Sequence, residues 1–279
     1  MELLLVLLTI VAVVGLMLLV SVPLLGDRHR SLPPDDLSAR GRTAIPFLGM
    51  LGAVLAFNAQ FRMVFQEVSV FVGWRITPLI YRFEGNAVIW IQSLFGEHFT
   101  VFFSFMYIYG YVFLLVFPLV GYFLLEKLHT FKAIVIAYAL NYSIGFLCYF
   151  IFVAYGPRNV IDGVGAPMYD MYPIVQILTS EINEHTNVFP SLHTSLAATV
   201  MLFAWYTRED FPLWTAIAMF FGISVIISTM YLGIHWVIDV LAGLLLAWVS
   251  YRGGLRYADR RWGTGFRRRA GGSPADGSS

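Results

Sequence analysis

The chain has 279 residues, of which 58% are hydrophobic and only 13% are charged. A soluble domain carries roughly 25% charged residues, so this composition excludes a disordered chain, a coiled coil and a secreted disulfide scaffold. The net charge of +1 indicates that nucleic acid is not a partner, and the single cysteine, Cys148, has no second cysteine to pair with. The composition predicts a protein that crosses a membrane several times.

Seven apolar stretches predict membrane-spanning helices, since a helix that crosses a bilayer needs roughly 20 apolar residues. In chain order they are Leu3–Leu25, Ala44–Phe61, Thr100–Leu125, Ala133–Tyr155, Phe189–Tyr206, Leu213–Thr229 and Trp236–Tyr251. The second stretch is the weakest because it holds Pro46, Asn58 and Gln60. The sequence therefore predicts an all-α, polytopic transmembrane helix bundle of about six or seven spans.

Three more polar segments interrupt or follow these spans. Arg62–Phe99 mixes aromatic residues with scattered charges, which predicts an interfacial segment on the outer leaflet. Gly156–Val188 predicts a polar loop on the same side of the membrane. The chain from Gly263 onward is rich in Gly, Ser and Arg, which predicts a disordered tail.

The positive charges predict how the chain is oriented. With seven spans and the N-terminus outside, the inside segments carry 14 of the 18 Lys and Arg residues. The other four are Arg62, Arg75, Arg82 and Arg158. Because cytoplasmic loops carry an excess of Lys and Arg, we expect a multi-pass plasma-membrane protein with its N-terminus outside and its C-terminus in the cytoplasm. Six spans, with the second stretch in the interface, would break this pattern.

The first chemically informative motif is FPSLHT at Phe189–Thr194, which opens the fifth predicted helix. Proline suits the first turn of a helix, and the amides that follow it have no partners within the helix. Together with the helix dipole, such amides bind anions. Ser191 and His193 lie beside this predicted anion site.

The second motif is STMYLGIHWVID at Ser228–Asp239, at the start of the last predicted helix. His235 and Asp239 are four residues apart, so on a helix they stack on one face and the carboxylate can hold one imidazole nitrogen. The other nitrogen of His235 is then free and more nucleophilic.

The spacing of the two histidines predicts that they meet. His193 and His235 are 42 residues apart, which is two helix passes with a turn between them, so both lie at the same outer face. One helix N-terminus, one free histidine and one His–Asp pair then converge. Phosphoryl transfer through a phosphohistidine uses such parts: a nucleophile, an acid for the leaving group, and donors for the equatorial oxygens.

These residues resemble two signature motifs of the type-2 phosphatidate phosphatase superfamily, P-S-G-H and S-R-x5-H-x3-D. The spacing of the second of these is reproduced residue for residue. The resemblance covers roughly Tyr155–Gly243. It implies that His235 is the nucleophile, that Asp239 orients it, and that His193 protonates the leaving group.

The chain departs from the family pattern at several positions. Leu192 replaces the glycine of one motif, and Thr229 replaces the arginine of the other. The family's first motif, K-x6-R-P, is not recognisable, and Arg158 stands at its expected place. The variants resemble the inositol phosphorylceramide synthase branch, which implies an inositolphosphotransferase that acts on a membrane lipid or lipid-linked phosphate without a cofactor or metal. Arg158 and Ser191 are the predicted phosphate-binding residues.

The resemblance also suggests how the chain is divided. We expect N-terminal transmembrane helices with the interfacial segment over residues 1–132, a catalytic phosphatase-like transmembrane core over 133–252, and a disordered basic cytoplasmic tail over 253–279.

Other functions fit the same residues. A lipid phosphate or polyprenyl diphosphate phosphatase would share every step up to the phosphoenzyme, with water as the acceptor. A metal-dependent membrane hydrolase would use His193, His235 and Asp239 as ligands, since three such groups suffice for a catalytic zinc. A transporter or scaffold is the third class, but the charged residues cluster at one membrane face instead of crossing the midplane. Taken singly, Ser191 could be only a helix-start residue, and Arg158 only a cap.

Overall fold

A computed structural model describes residues 2–21, 34–124, 128–172 and 188–262. Residues 173–187 of the predicted polar loop, and the tail from Gly263, lie outside the described residues. The architecture is a helix bundle with one very small sheet, which confirms the predicted all-α fold class. The long helices are α1 (Glu2–Ser21), α2 (Pro34–Val72), α6 (Tyr111–Phe123), α7 (His129–Ile151), α9 (Leu192–Tyr206), α10 (Pro212–Tyr231) and α11 (Val237–Trp262).

Five helical segments of the described chain are long and apolar enough to cross a membrane. They are Leu37–Val72, Phe99–Phe123, His129–Ile151, Pro212–Tyr231 and Val237–Arg260. Two shorter apolar helices, Leu7–Ser21 and Leu192–Tyr206, accompany them. Each of the seven predicted stretches coincides with one of these segments, and the chain is an integral membrane protein.

Helix α2 is longer than the sequence predicts. It runs without interruption from Pro34 to Val72, so Arg62 lies within it and the predicted interfacial segment starts too early. The polar residues that weaken the hydropathy signal are accommodated locally. Pro46 lies inside the helix, and the side-chain amide of Asn58 donates to the carbonyl of Val54 at 3.0 Å.

Short elements follow α2 at the same end of the bundle. Strand β1 (Trp74–Arg75) pairs in parallel with β2 (Phe152–Val153), which directly follows α7. Between β1 and the next long segment lie α3 (Thr77–Glu84) and α4 (Ala87–Leu94), and a further short helix, α8 (Pro167–Met171), lies between β2 and α9. Helix α3 lies beside the start of α11, and α4 packs against α10.

The segment Phe99–Phe123 is not a uniform α-helix. It consists of α5 (Phe99–Phe105), a π-helical turn (Met106–Gly110) and α6. A π turn inserts extra backbone into an α-helix and is frequently found at functional sites.

The last helices pack with their backbones unusually close. A side-chain carbon added to Gly243 of α11 would lie 2.6 Å from the carbonyl oxygen of Ser191 at the start of α9. Small residues allow such approach between membrane helices. This close approach holds the beginnings of α9 and α11 together.

Candidate active site

Helix α9 begins two residues after Pro190, with which the first motif predicts it to begin. Ser191 is its N-cap and Leu192 its first residue, so Pro190 precedes the cap instead of lying in the first turn. The hydroxyl oxygen of Ser191 accepts a hydrogen bond from the backbone N–H of Thr194 at 3.3 Å, which is the usual geometry of a serine cap. Ser191 is fully buried, and its role in phosphate binding stays a prediction.

His235 lies in the turn between α10 and α11, not on a helix. The turn contains Gly233, whose φ of +68° is a left-handed conformation that favours glycine. Because α11 begins at Val237, the predicted stacking of His235 and Asp239 on one helix face is wrong, although the two side chains do meet. They meet because Asp239 turns back toward the start of its own helix.

The carboxylate of Asp239 contacts two groups of that turn. Its Oδ2 accepts a hydrogen bond from the backbone N–H of Trp236 at 2.9 Å, as in a capping box. The same oxygen lies 3.5 Å from Nδ1 of His235, which is an ion-pair distance without hydrogen-bond alignment. Asp239 is completely buried, and within the described part of the chain its Oδ1 has no hydrogen-bond partner.

A backbone hydrogen bond joins the two motifs. The N–H of Ser191 donates to the carbonyl of Asp239 at 3.0 Å. The imidazole rings of His193 and His235 lie with their centroids 6.3 Å apart. The convergence predicted from the 42-residue spacing is therefore present in the fold.

Arg158 joins the same site through its backbone. It lies in a 3-10 turn, Pro157–Asn159, and its N–H donates to the carbonyl of Gly233 at 3.2 Å. Its guanidinium lies over the ring of Tyr169, with Cζ 4.4 Å from the centroid. Its Nη1 is buried and has no hydrogen-bond partner among the residues that the structure describes.

The surroundings of His235 favour the neutral imidazole. Burial lowers the pKa of His235 to about 3, because a low-dielectric environment disfavours the charged form. A backbone hydrogen bond with Val188 opposes this effect, and the positive charge of Arg158 adds to it. A neutral imidazole retains the lone pair that a nucleophile needs.

Comparison with known proteins places these residues in a family. A family model described as the PAP2 superfamily matches residues 81–253, which is more than half of the chain. The chain belongs to the PAP2 superfamily. The matched region begins in α3, ends in α11 and contains all five site residues predicted from the sequence. Membership supports an enzyme of the phosphatase or phosphotransferase class.

One curated relative of this PAP2 protein has no described function, so it shows only how much of the chain the two proteins share. An uncharacterised protein of Methanocaldococcus jannaschii is 30% identical over 166 residues. The alignment covers 59% of this chain and 64% of that relative's length. No solved structure matches the chain significantly.

The PAP2 region also contains a functional candidate that the sequence did not reveal. The carboxylate of Glu84, at the end of α3, accepts hydrogen bonds from the backbone N–H groups of Val237, at 2.9 Å, and Ile238. These are two of the free amides at the start of α11. Burial raises the pKa of Glu84, and the two backbone hydrogen bonds oppose that shift. No local pattern marks Glu84, because its partners are 153 and 154 residues away.

Two tyrosines complete the surroundings of His193. The ring of Tyr107, in the π turn, stacks on the imidazole with a centroid distance of 4.5 Å and an interplanar angle of 22°. The ring of Tyr111, at the start of α6, lies 4.4 Å away and is tilted by 41°. The sequence predicts only an apolar span here, so their contact with His193 was missed.

The metal-dependent alternative requires several ligand side chains that converge on one ion. Within residues 2–21, 34–124, 128–172 and 188–262, no group of three or more His, Cys, Asp or Glu side chains is arranged to hold a metal ion.

Proposed function

We propose that this PAP2 protein transfers a phosphoryl group from a lipid-linked phosphate through a covalent phosphohistidine on His235. The observation that carries the proposal is the meeting of three ionisable side chains at one end of a membrane bundle. His193 and His235 lie 6.3 Å apart between ring centroids, and Asp239 lies 3.5 Å behind Nδ1 of His235. A phosphoryl group fits between a nucleophile and an acid at such a separation.

In the first step, Nε2 of His235 attacks phosphorus, since Asp239 faces Nδ1. The new P–N bond forms as the bond from phosphorus to the leaving oxygen breaks, and His193 gives its proton to that oxygen. In the second step, an acceptor hydroxyl loses its proton to His193 while its oxygen attacks phosphorus and the P–N bond breaks. Asp239 stabilises the positive charge on the His235 ring.

Arg158 is the cation proposed to meet the charge of the transferred group. Its Nη1 is buried without a described partner, so a ligand oxygen can take that donor. Stacking on Tyr169 at 4.4 Å fixes the plane of the guanidinium. A preorganised donor of this kind stabilises charge that develops in the transition state.

The acceptor separates two forms of the proposal. The motif variants around Leu192 and Thr229 favour a phosphotransferase similar to inositol phosphorylceramide synthase, with a lipid or polyol hydroxyl as acceptor. The alternative, a lipid phosphate or polyprenyl diphosphate phosphatase, uses water. Both share His193, His235, Asp239 and the phosphoenzyme.

We also propose that the site opens to the outer side of the plasma membrane. The site lies where α9 and α11 begin and where α2, α7 and α10 end. The opposite end carries most of the described basic residues, among them Arg40, Lys132, Arg208, Arg252 and Arg256. The positive-inside rule then puts that opposite end, with the C-terminus, in the cytoplasm.

The test uses purified full-length protein in lipid vesicles with phosphatidate carrying a labelled phosphate, with and without inositol. We expect a labelled phosphoprotein that is stable in base and lost in acid, and labelled inositol phosphate as the product. His235→Ala should remove the labelled phosphoprotein and lower the rate of product formation by about 10³-fold or more. The matched control is His129→Ala, whose side chain pairs with Asp259 at the other end of the bundle and whose loss should leave the rate unchanged.

Each other outcome has a definite meaning. Free phosphate alone, with or without inositol, would indicate the phosphatase. Turnover that chelators abolish, without a phosphoprotein, would indicate the metal-dependent hydrolase. Normal turnover by His235→Ala would overturn the phosphohistidine mechanism.

A further inference from the structure

Two tyrosine rings contact the imidazole of His193. Tyr107 stacks nearly parallel to the imidazole, and Tyr111 contacts it at a similar centroid distance, 4.4 Å against 4.5 Å. Tyr107 is 5% exposed, so its ring is held by the protein. The faces of aromatic rings carry negative charge density, which attracts a cation placed over them.

The two tyrosines lie in and directly after an irregular turn of the helical segment. Tyr107 lies inside the π-helical turn and Tyr111 directly after it. Side-chain hydrogen bonding between Tyr111 and Tyr142 of α7 fixes the second ring. Gly110, within the turn, lies against the ring of Phe221 of α10. The π turn is thus held between α7 and α10 with both tyrosines directed at one histidine.

We propose that Tyr107 and Tyr111 are positioning residues that hold the imidazole of His193 and stabilise its protonated form through their ring faces. This rests on the proposed function in one respect, namely that the proton of His193 goes to the leaving oxygen. In that step the N–H bond of the imidazolium breaks, a new O–H bond forms on the leaving group, and His193 becomes neutral. A buried site otherwise disfavours the imidazolium.

The other groups around His193 do not supply this stabilisation. His235, on the turn before α11, is kept neutral by burial. The positive charge of Arg158, on the 3-10 turn, opposes a second positive charge. Asp239 directs its Oδ2 to His235 and Trp236. On α7, the hydroxyl of Tyr149 donates to the carbonyl of Pro190. Among the described neighbours, the two tyrosine faces are the groups that favour the imidazolium.

The experiment is an NMR titration of full-length protein in micelles with ¹³C at Cε1 of every histidine. The signal of His193 is assigned by its loss in His193→Asn. In the wild type we expect the Cε1 signal of His193 to lie upfield of the signal of His98, which is exposed, because of the ring currents of the tyrosines. Tyr107→Leu should remove much of this displacement and lower the pKa of His193 by about 0.5–1 pH unit. Tyr107→Phe should retain both, because it keeps the ring.

The matched control is Tyr109→Leu, in the same π turn. Its ring packs on Phe105, and its loss should leave the His193 signal unchanged. A His193 signal without displacement in the wild type would overturn the proposal, and this observation does not depend on whether a variant folds. An equal pKa of His193 in Tyr107→Leu and in the wild type would also overturn the proposal.

Activity is measured separately, so the two proposals can fail independently. With labelled phosphatidate, the alkaline limb of the rate–pH profile should move down with the pKa of His193 in Tyr107→Leu and stay in place in Tyr107→Phe. If the NMR signature holds and no variant turns over phosphatidate, the positioning role stands and the proposed function falls.

Discussion

Glu84 and Val237 lie 153 residues apart in the chain, yet the carboxylate of one accepts a 2.9 Å hydrogen bond from the backbone N–H of the other. Ile238 donates to the second oxygen of the same carboxylate. Asp239, which follows directly, is the residue proposed to orient the nucleophile. The short helix α3 therefore fixes the first turn of the helix that carries Asp239.

Glu84→Ala should lower both stability and rate. Loss of a helix cap costs about 0.5–2 kcal/mol, and a small displacement of Asp239 can cost up to about 10²-fold in rate. Glu84→Gln keeps one acceptor oxygen, so its stability and rate should lie between those of Glu84→Ala and the wild type. Thermal unfolding and phosphatidate turnover measure the two effects. The control is Glu97→Ala, an exposed carboxylate; if both alanine variants behave alike, the cap is irrelevant to the site.

Local sequence predicted some features of the fold and the candidate site, and it missed others. The hydropathy pattern predicted seven apolar helices of the described chain, five of which are long enough to cross a membrane, because the length and composition of an apolar stretch are visible in the sequence. The spacing from His193 to His235 predicted their meeting because two helix passes return the chain to one face. The His235–Asp239 contact was predicted for the wrong reason, since a capping turn and not a helix face brings them together. Glu84 and Tyr107 were missed because their contacts depend on distant segments and on a π turn.

Asp239→Asn tests the orienting carboxylate. The amide keeps the size but removes the negative charge that stabilises a charged His235 ring, so we expect a large loss of rate with little change in substrate affinity. The amide oxygen can still accept from the Trp236 N–H, so the turn should persist. Steady-state kinetics with phosphatidate give kcat and KM separately. A fall in affinity alone, or an unchanged rate, would make Asp239 a packing residue of the turn.

Arg158→Ala should lower the rate by about 10²–10³-fold, the size seen on deletion of a key electrostatic donor. Arg158→Lys should restore only part of this, because an ammonium cannot reproduce the planar fork or its stacking on Tyr169. The control is Arg208→Ala, since Arg208 donates to the carbonyl of Trp205 at the opposite end. Ordinary turnover by Arg158→Ala would shift the phosphate-binding role to Arg62, Arg75 or Arg82.

The buried state of His235 predicts a pH dependence of stability. The unfolded chain takes up a proton on this histidine near its ordinary pKa of 6.5, whereas the folded chain does so only near pH 3. Between these values the unfolded state binds more protons, so the free energy of unfolding falls as the pH falls. For one histidine the slope approaches about 1.4 kcal/mol per pH unit.

His235→Gln removes this titration and should therefore flatten the dependence. Between pH 7 and pH 5, the wild type should lose about 2 kcal/mol more than the variant. Reversible unfolding in micelles at pH 7, 6 and 5 measures the difference, and His98→Gln gives the background for an exposed histidine. Parallel curves for the wild type and His235→Gln would mean that His235 takes up its proton in the folded protein, and a neutral resting nucleophile would then be wrong.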